Sequence, residues 1–495
     1  MEILYVSVIL AFLLLLNLKS FARRPNPKLP PGPWKLPIIG SIHHLLGSQP
    51  HHSLRNLSIK HGPLMLLKLG EVNTLVASSP EAAREIMKTH DITFASRPIS
   101  VSIKIASYGG KNLISAPYGD YWREVRKMCV LELLTVQSFQ VIREEEVHNL
   151  IRSICSSNNT SSLVNLSQKL FMLNNNIITR AVVGNRCKDQ STFLFVLSQM
   201  IKLVGGFDLA DLFPSSLLIG CISRMPSKMQ RYHREVDRVM DDIIRDHQER
   251  KKAKLVEEDL LDVLLRIQEE GGLSSAPLTM DAIKAVVLNM FGAGTNTSSA
   301  TLDWAMAELM RNPKVMKKAQ AEVRESLGGK TKVTEKEIGD MNYLKLVIKE
   351  TLRLHPPAPL LVPRESRERV EVLGYEIPEK VRVIVNAWAL GRDPQIWDDA
   401  EAFKPERFDG STIDFKGTNF EFLPFGAGRR MCPGISFALA SVELALACLL
   451  YYFNWELPDG MKPTDLDMVE SFGATTRRKS ELCLRAIPFI SCPIA

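Results

Sequence analysis

Phe425-Gly426-Ala427-Gly428-Arg429-Arg430-Met431-Cys432-Pro433-Gly434 sets a single thiol in a run of small residues beside two arginines. Such a setting suits a metal-bound thiolate, because nearby cations and backbone N–H donors favour the charged sulfur. Gly428 and Gly434 carry no Cβ, so backbone is expected to approach the sulfur and a flat ligand above it closely. Arg430 stands ready to pair with an anionic group of that ligand. A Gly-rich turn around a buried, inert cysteine is the plainer alternative, and the upstream motifs weigh against it.

Four further stretches carry chemistry. Glu350-Thr351-Leu352-Arg353 places a carboxylate and a guanidinium three apart, on one helix face. That spacing is common on solvated helices, and it gains meaning from Pro405-Glu406-Arg407-Phe408 downstream. Trp122 and Arg126 stand four apart on a helix beginning near Gly119. Ala293-Gly294-Thr295-Asn296-Thr297-Ser298 places small and polar residues in the middle of a helix predicted over 279–311, where they are expected to open the backbone ladder locally. Arg364 follows a proline in Val362-Pro363-Arg364-Glu365.

Together these stretches resemble the cytochrome P450 family, whose haem-binding signature Phe-x-x-Gly-x-Arg-x-Cys-x-Gly is matched at Phe425, Gly428, Arg430, Cys432 and Gly434. The resemblance covers nearly the whole chain and is nearest to plant A-type microsomal members. It implies a mainly α fold with small β-sheets and haem b held by Cys432 as axial thiolate, a ligand that favours cleavage of the O–O bond. Trp122, Arg126, Arg364 and Arg430 become propionate contacts. Glu350, Arg353 and Arg407 become a buried network behind the cysteine loop. Ala293, Gly294 and Thr297 match the oxygen-handling helix, with Thr297 passing protons. Asn296 stands where the family has an acid. An amide hydrogen-bonds water but does not shuttle protons by ionising, so either oxygen activation is expected to be slower or leakier or the reaction needs less strict proton delivery.

Within the 495 residues no repeat or Gly/Ser linker interrupts the stretch from about Gly40 onward, which reads as one catalytic domain, 41–495. Residues 1–24 read as a membrane anchor with a basic stop. Ile3 to Leu18 is apolar apart from Ser7 and Asn17, and Lys19, Arg23 and Arg24 follow it. Charge behind the apolar run argues for an uncleaved anchor, a single pass through the endoplasmic reticulum membrane and a cytosolic body. Residues 25–40, rich in proline, read as a stiff hinge. The net charge of +7 is modest and comes without RNA-type aromatic motifs, which argues against nucleic acid. Eight scattered cysteines form no Cys-x-x-Cys pair and read as reduced, Cys432 apart.

By resemblance, the substrate pocket takes in Ile114, Phe207, Asn289, Met290, Leu360, Leu361, Val362 and Phe472. These are mostly apolar and imply a lipophilic substrate, with Asn289 available to orient one oxygen function. Electrons come from NADPH through a cytochrome P450 reductase, which Arg123, Lys127 and Arg429 are placed to meet, and O2 is co-substrate. A terpenoid, a sesqui- or diterpene, is the first expectation, with phenolic or amino-acid-derived compounds next. Two other classes stay open at this point: an O2-independent haem-thiolate isomerase or dehydratase, against which Gly294 and Thr297 speak, and a non-catalytic haem protein.

Overall fold

The computed structural model describes residues 29–132, 139–156, 163–184, 190–205, 207–252, 259–471 and 473–490. The expected anchor at 1–24 and Phe472 lie outside the described residues. Helix dominates, and three small sheets and a hairpin fill the edges. Where local signals were strong the helices fall where expected. Pro313–Leu327 begins on a proline, whose missing N–H costs nothing at a helix start, and ends at left-handed Gly328. Met280–Arg311 starts at Thr279, whose hydroxyl accepts from Ala282 N.

Met280–Arg311 is the axis of the molecule, packed by Leu166–Val183, Asn342–Leu354 and Ile435–Tyr452. The pattern of apolar residues alone missed Leu166–Val183. Asn174, Asn175 and Asn176 in its middle are weak helix formers, yet Asn174 and Asn175 are buried and bonded. Asn175 accepts from Gln190 Nε2 at 2.6 Å, and Asn174 donates to the Leu170 carbonyl at 2.9 Å. Tertiary packing overrides the weak helix propensity of Asn.

Ile435–Tyr452 is the one helix among the described residues long and apolar enough to cross a membrane, and 67% of it is buried inside the protein. It is therefore the core helix behind the cysteine loop.

The four-stranded sheet runs Leu64–Leu69, Val72–Ala77, Arg382–Val385, Arg364–Glu365. Val72–Ala77 pairs in parallel with Arg382–Val385, so the helical body is looped out between two neighbouring strands. The expected proline hinge belongs to the body from Leu29 onward. Pro31 accepts from Leu66 N at 2.8 Å, and a Cβ on Gly32 would fall 2.2 Å from the Leu66 carbonyl oxygen. Cys155 is disulfide-bonded, against the expectation of reduced cysteines.

Candidate haem-thiolate site

The cysteine loop is closed by backbone bonds from Cys432 N to the Phe425 carbonyl and from Met431 N to Gly428, both 3.0 Å. Phe425 packs edge-on against Phe415 at 5.5 Å. Gly434 caps Ile435–Tyr452, and its N–H donates toward the Cys432 sulfur. Burial pushes the Cys432 thiol up, opposed by that N–H and by Arg126. A thiol so placed is no free nucleophile, and a coordinated metal ion is what deprotonates it outright.

Gly428 serves a different contact from the one expected. At φ +67 it lets the loop close on its neighbours, because a Cβ would fall 2.3 Å from the Met87 carbonyl and 2.6 Å from Asp91 Oδ1. Only glycine accepts both the angle and the approach.

Behind the loop Glu350 and Arg353 are fully buried and bidentate, Nε to Oε2 and Nη2 to Oε1, both 2.8 Å. Arg407 Nε reaches Glu350 Oε1 at 3.0 Å, and Lys404 N reaches the same oxygen at 2.7 Å. The remaining donors of Arg353 go to the carbonyls of Gly391, Ala400 and Ala402, and those of Arg407 to Asp398, Asp399 and Ala402. Nothing here reaches the cavity, so the network fixes the segment 391–407 in place.

Four arginines gather beside the loop. Arg430 donates to the carbonyls of Ala95 at 2.7 Å and Ala116 at 2.6 Å, lies 4.1 Å over Trp122, and leaves its buried Nη1 without a partner. Burial, then Arg364 and Arg126, presses its pKa down to about 9. Arg126 donates to the Met431 carbonyl at 2.8 Å, and Trp122 Nε1 to Leu113 at 3.1 Å. Arg364 is paired with Asp91 Oδ1 at 2.9 Å and with the Ala427 carbonyl at 2.6 Å. Its guanidinium thus ties the loop, a positioning task in place of the expected free contact.

Sequence reasoning missed Arg97. It is buried, bonded only to the carbonyls of Ile114, Val362 and Pro363, and held well below its ordinary pKa by burial and by Arg430, Arg364 and Arg126. Its one signal is its place before Pro98, which keeps it out of a helix. Asp91, also missed, is the carboxylate recorded among these cations, and it serves Arg429 as well, at 3.0 Å. Buried cations this poorly matched call for an anionic partner.

On the other side, Met280–Arg311 stays helical throughout 292–298, and the expected opening of its ladder does not occur. Its polar side chains bond back along the helix: Asn296 Nδ2 to Gly292 O at 2.9 Å, Thr297 Oγ1 to Ala293 O at 2.8 Å, and Thr301 Oγ1 to Thr297 O at 3.0 Å. Asn289, Ala293 and Thr297, four apart, share the face that lines a cavity of about 330 Å³. Ile114, Phe207, Leu360, Leu361 and Val362 line it too.

Met290 and Gly294 face elsewhere. Met290 is buried in the core, and a Cβ on Gly294 would fall 2.4 Å from Ile178 Cδ1, so this glycine lets two helices touch. Asn296 is buried off the cavity face, and its Oδ1 accepts from Arg477 Nη2, another residue the sequence reading missed. Arg477 also lies 4.7 Å over Phe171.

The chain matches the cytochrome P450 family over residues 30–483, and it belongs to that family. Among its relatives, desmethyl-deoxy-podophyllotoxin synthase of Sinopodophyllum hexandrum is 55% identical over 97% of this chain and 95% of that one. Premnaspirodiene oxygenase of Hyoscyamus muticus is 51% identical over 98% and 97%. Germacrene A hydroxylase of Barnadesia spinosa is 50% identical over 92% and 91%. A zebra fish cytochrome P450 solved with progesterone superimposes with a TM-score of 0.75 at 26% identity, covering 89% of this chain and 100% of that one.

The protein is thus a plant cytochrome P450 monooxygenase, an enzyme class that works through thiolate-ligated haem, a redox partner, O2 and a hydrophobic substrate. The residues present fit that group: a thiol on a closed loop, Arg430 Nη1 unpartnered, and a cationic cluster short of anions.

Proposed function

We propose that this enzyme inserts one oxygen atom from O2 into a hydrophobic plant specialised metabolite, with a sesqui- or diterpenoid as first candidate and NADPH supplying electrons through a reductase. The cavity carries this reading. Its far wall is aliphatic, built of Leu197, Met200, Ile201 and Val204, and Thr297 is the one hydroxyl the long helix presents to it. Two relatives bear names that point to terpenes, premnaspirodiene and germacrene A, and a third a lignan.

Haem, when bound, supplies the iron at which O2 is activated. Cys432 would hold the group through its sulfur, with Arg97, Arg126 and Arg430 holding its carboxylates and Trp122 packed against Arg430. Thr297 Oγ1 would hold the proton needed at the oxygen-binding face. Its hydroxyl donates to the Ala293 carbonyl, oxygen to oxygen 2.8 Å, so rotation of the O–H about the Cβ–Oγ1 bond is the motion that frees the hydrogen.

Membrane attachment is part of the proposal, with the body on the cytosolic side of the endoplasmic reticulum. Trp34 (62% exposed), Ile38 (72%), Leu46 (72%), Leu217 (88%) and Leu218 (71%) form apolar surface around segments whose inner residues Ile42, Leu45 and Ile219 pack on one shared cluster.

The test is to express the chain with a plant reductase in microsomes and supply NADPH, 18O2 and a pool of sesquiterpenes and diterpenes, both olefins and oxygenated derivatives. One 18O atom in a terpenoid product is expected. Absence of label from every terpenoid, with the reduced CO spectrum showing intact haem-thiolate, would overturn the terpenoid assignment.

A further inference from the structure

Two carboxamides at the cavity have their orientation fixed by the backbone. Asn289 Oδ1 accepts from Ile114 N at 3.2 Å, and Asn112 Oδ1 accepts from Ser115 N at 2.7 Å. A backbone N–H can be answered only by the oxygen end of an amide, so neither side chain can flip without losing that bond. The NH2 ends are therefore the free ends. Both residues are half-buried and line the cavity, and among the described residues neither Nδ2 has a hydrogen-bond partner.

Because Ile114 and Ser115 are consecutive, the two amides are anchored to neighbouring N–H groups of one short stretch of chain. Asn289 lies on the helix face that also carries Ala293 and Thr297, so the pair belongs to the wall of the reaction chamber and not to a remote surface. Donors without acceptors discriminate strongly between ligands that answer them and ligands that do not.

We infer that Asn112 and Asn289 form a paired-donor subsite for an acceptor oxygen already present on the substrate, a carbonyl, lactone or ether, so that the enzyme acts on an oxygenated polycycle in preference to a bare hydrocarbon. The inference rests on the monooxygenase reading above and narrows its substrate class. It accommodates an oxygenated terpenoid and a lignan equally, since both present such oxygens. Asn289 and Asn112 act here by orienting the bound molecule, and Thr297 remains the proton-handling group.

The test uses full-length holoenzyme and three ligands built on the same fused bicycle: the lactone sclareolide, the cyclic ether ambroxide, and the hydrocarbon drimane. Equilibrium binding is read from the ligand-induced Soret shift or, for a ligand that leaves the spectrum unchanged, by competition against one that does not. Wild type is expected to bind the lactone and the ether at least about tenfold more tightly than the hydrocarbon, the worth of one to two hydrogen bonds.

Asn112→Asp with Asn289→Asp keeps both acceptors for Ile114 N and Ser115 N while replacing the donors, and at pH 8 the carboxylates cannot donate. The two added charges shift the affinity for all three ligands, so the readout is the ratio between them, and the double variant should lose the preference for the lactone and the ether over drimane. If the double variant loses its haem spectrum, Asn289→Leu alone is measured and should erase at least half of the preference in free energy. Equal affinity for the three ligands in wild type, or an undiminished preference in the variants, would overturn the subsite. A failure of the monooxygenase reading would show differently, as absence of the CO-difference band or of NADPH oxidation.

Discussion

Two groups of buried arginines stand on either side of the cysteine loop, and they are built on opposite principles. Around Glu350 the donors are satisfied: Arg353 and Arg407 share one carboxylate, and their other donors end on backbone carbonyls. Around Arg430 they are not. Arg97, Arg126, Arg364 and Arg430 have one recorded carboxylate among them, Asp91, and it also serves Arg429. A closed network needs nothing further and is structural. An open one carries strain that a dianionic ligand relieves, so the same residue type marks scaffold in one place and cofactor socket in the other.

The contrast gives opposite signs to similar substitutions. The largest effect is expected at Glu350→Gln, which strips the charge between two fully committed guanidiniums. A loss of about 3–5 kcal/mol should appear as thermal destabilisation with and without haem, and little protein should show a CO-difference band. Arg430→Leu should behave otherwise. Removing an uncompensated buried cation should leave the melting temperature of the haem-free protein unchanged or raised, while haem affinity falls by about tenfold to a hundredfold, the range of a charged hydrogen bond. Equal destabilisation of both forms would erase the distinction.

A smaller version of the same question lies at Asp259, which burial raises to about 6 against the pull of neighbouring His247. The folded state binds its proton more tightly than the unfolded chain does. Its contribution is therefore present in full below the unfolded carboxyl value near 3.8 and is lost as pH rises through about 6. Asp259→Asn keeps the cap on Asp262 N and does not titrate, so wild type and variant should melt alike near pH 4 and the variant should become steadily the more stable of the two up to pH 6. A difference independent of pH would place the proton elsewhere.

The least effect is expected at Asn296→Asp. Arg477 already sits on Oδ1, so the new carboxylate should pair with it in place of feeding protons to the cavity. Peroxide released per NADPH should then stay within about twofold of wild type. A steep fall in peroxide would show that the amide limits proton delivery after all.

What the sequence revealed follows the same divide. Cys432, Glu350, Arg353 and Trp122 stand at fixed spacings within single segments, and their places could be read directly. The helix Pro313–Leu327 was legible to the residue because proline and glycine mark its ends. Arg97, Asp91, Asn112 and Arg477 come from separate segments that meet only when the chain is folded, and none stands in a local pattern. The strand Cys483–Pro488 was missed for a related reason: its partners Phe453–Glu456 and Val164–Asn165 are remote in sequence. Gly294 and Gly428 were recognised as necessary, but the atoms that make them so, Ile178 Cδ1 and Asp91 Oδ1, could not be seen.

The open arginine cluster as an anion socket is tested most directly by adding haem and its dimethyl ester, which lacks the propionate charges, to the haem-free protein. Their affinities are then compared in wild type and in the Arg97→Leu, Arg430→Leu double variant. Wild type should bind haem at least about tenfold more tightly than the ester, and the double variant should bind the two alike. Equal binding of haem and ester by wild type would contradict the account.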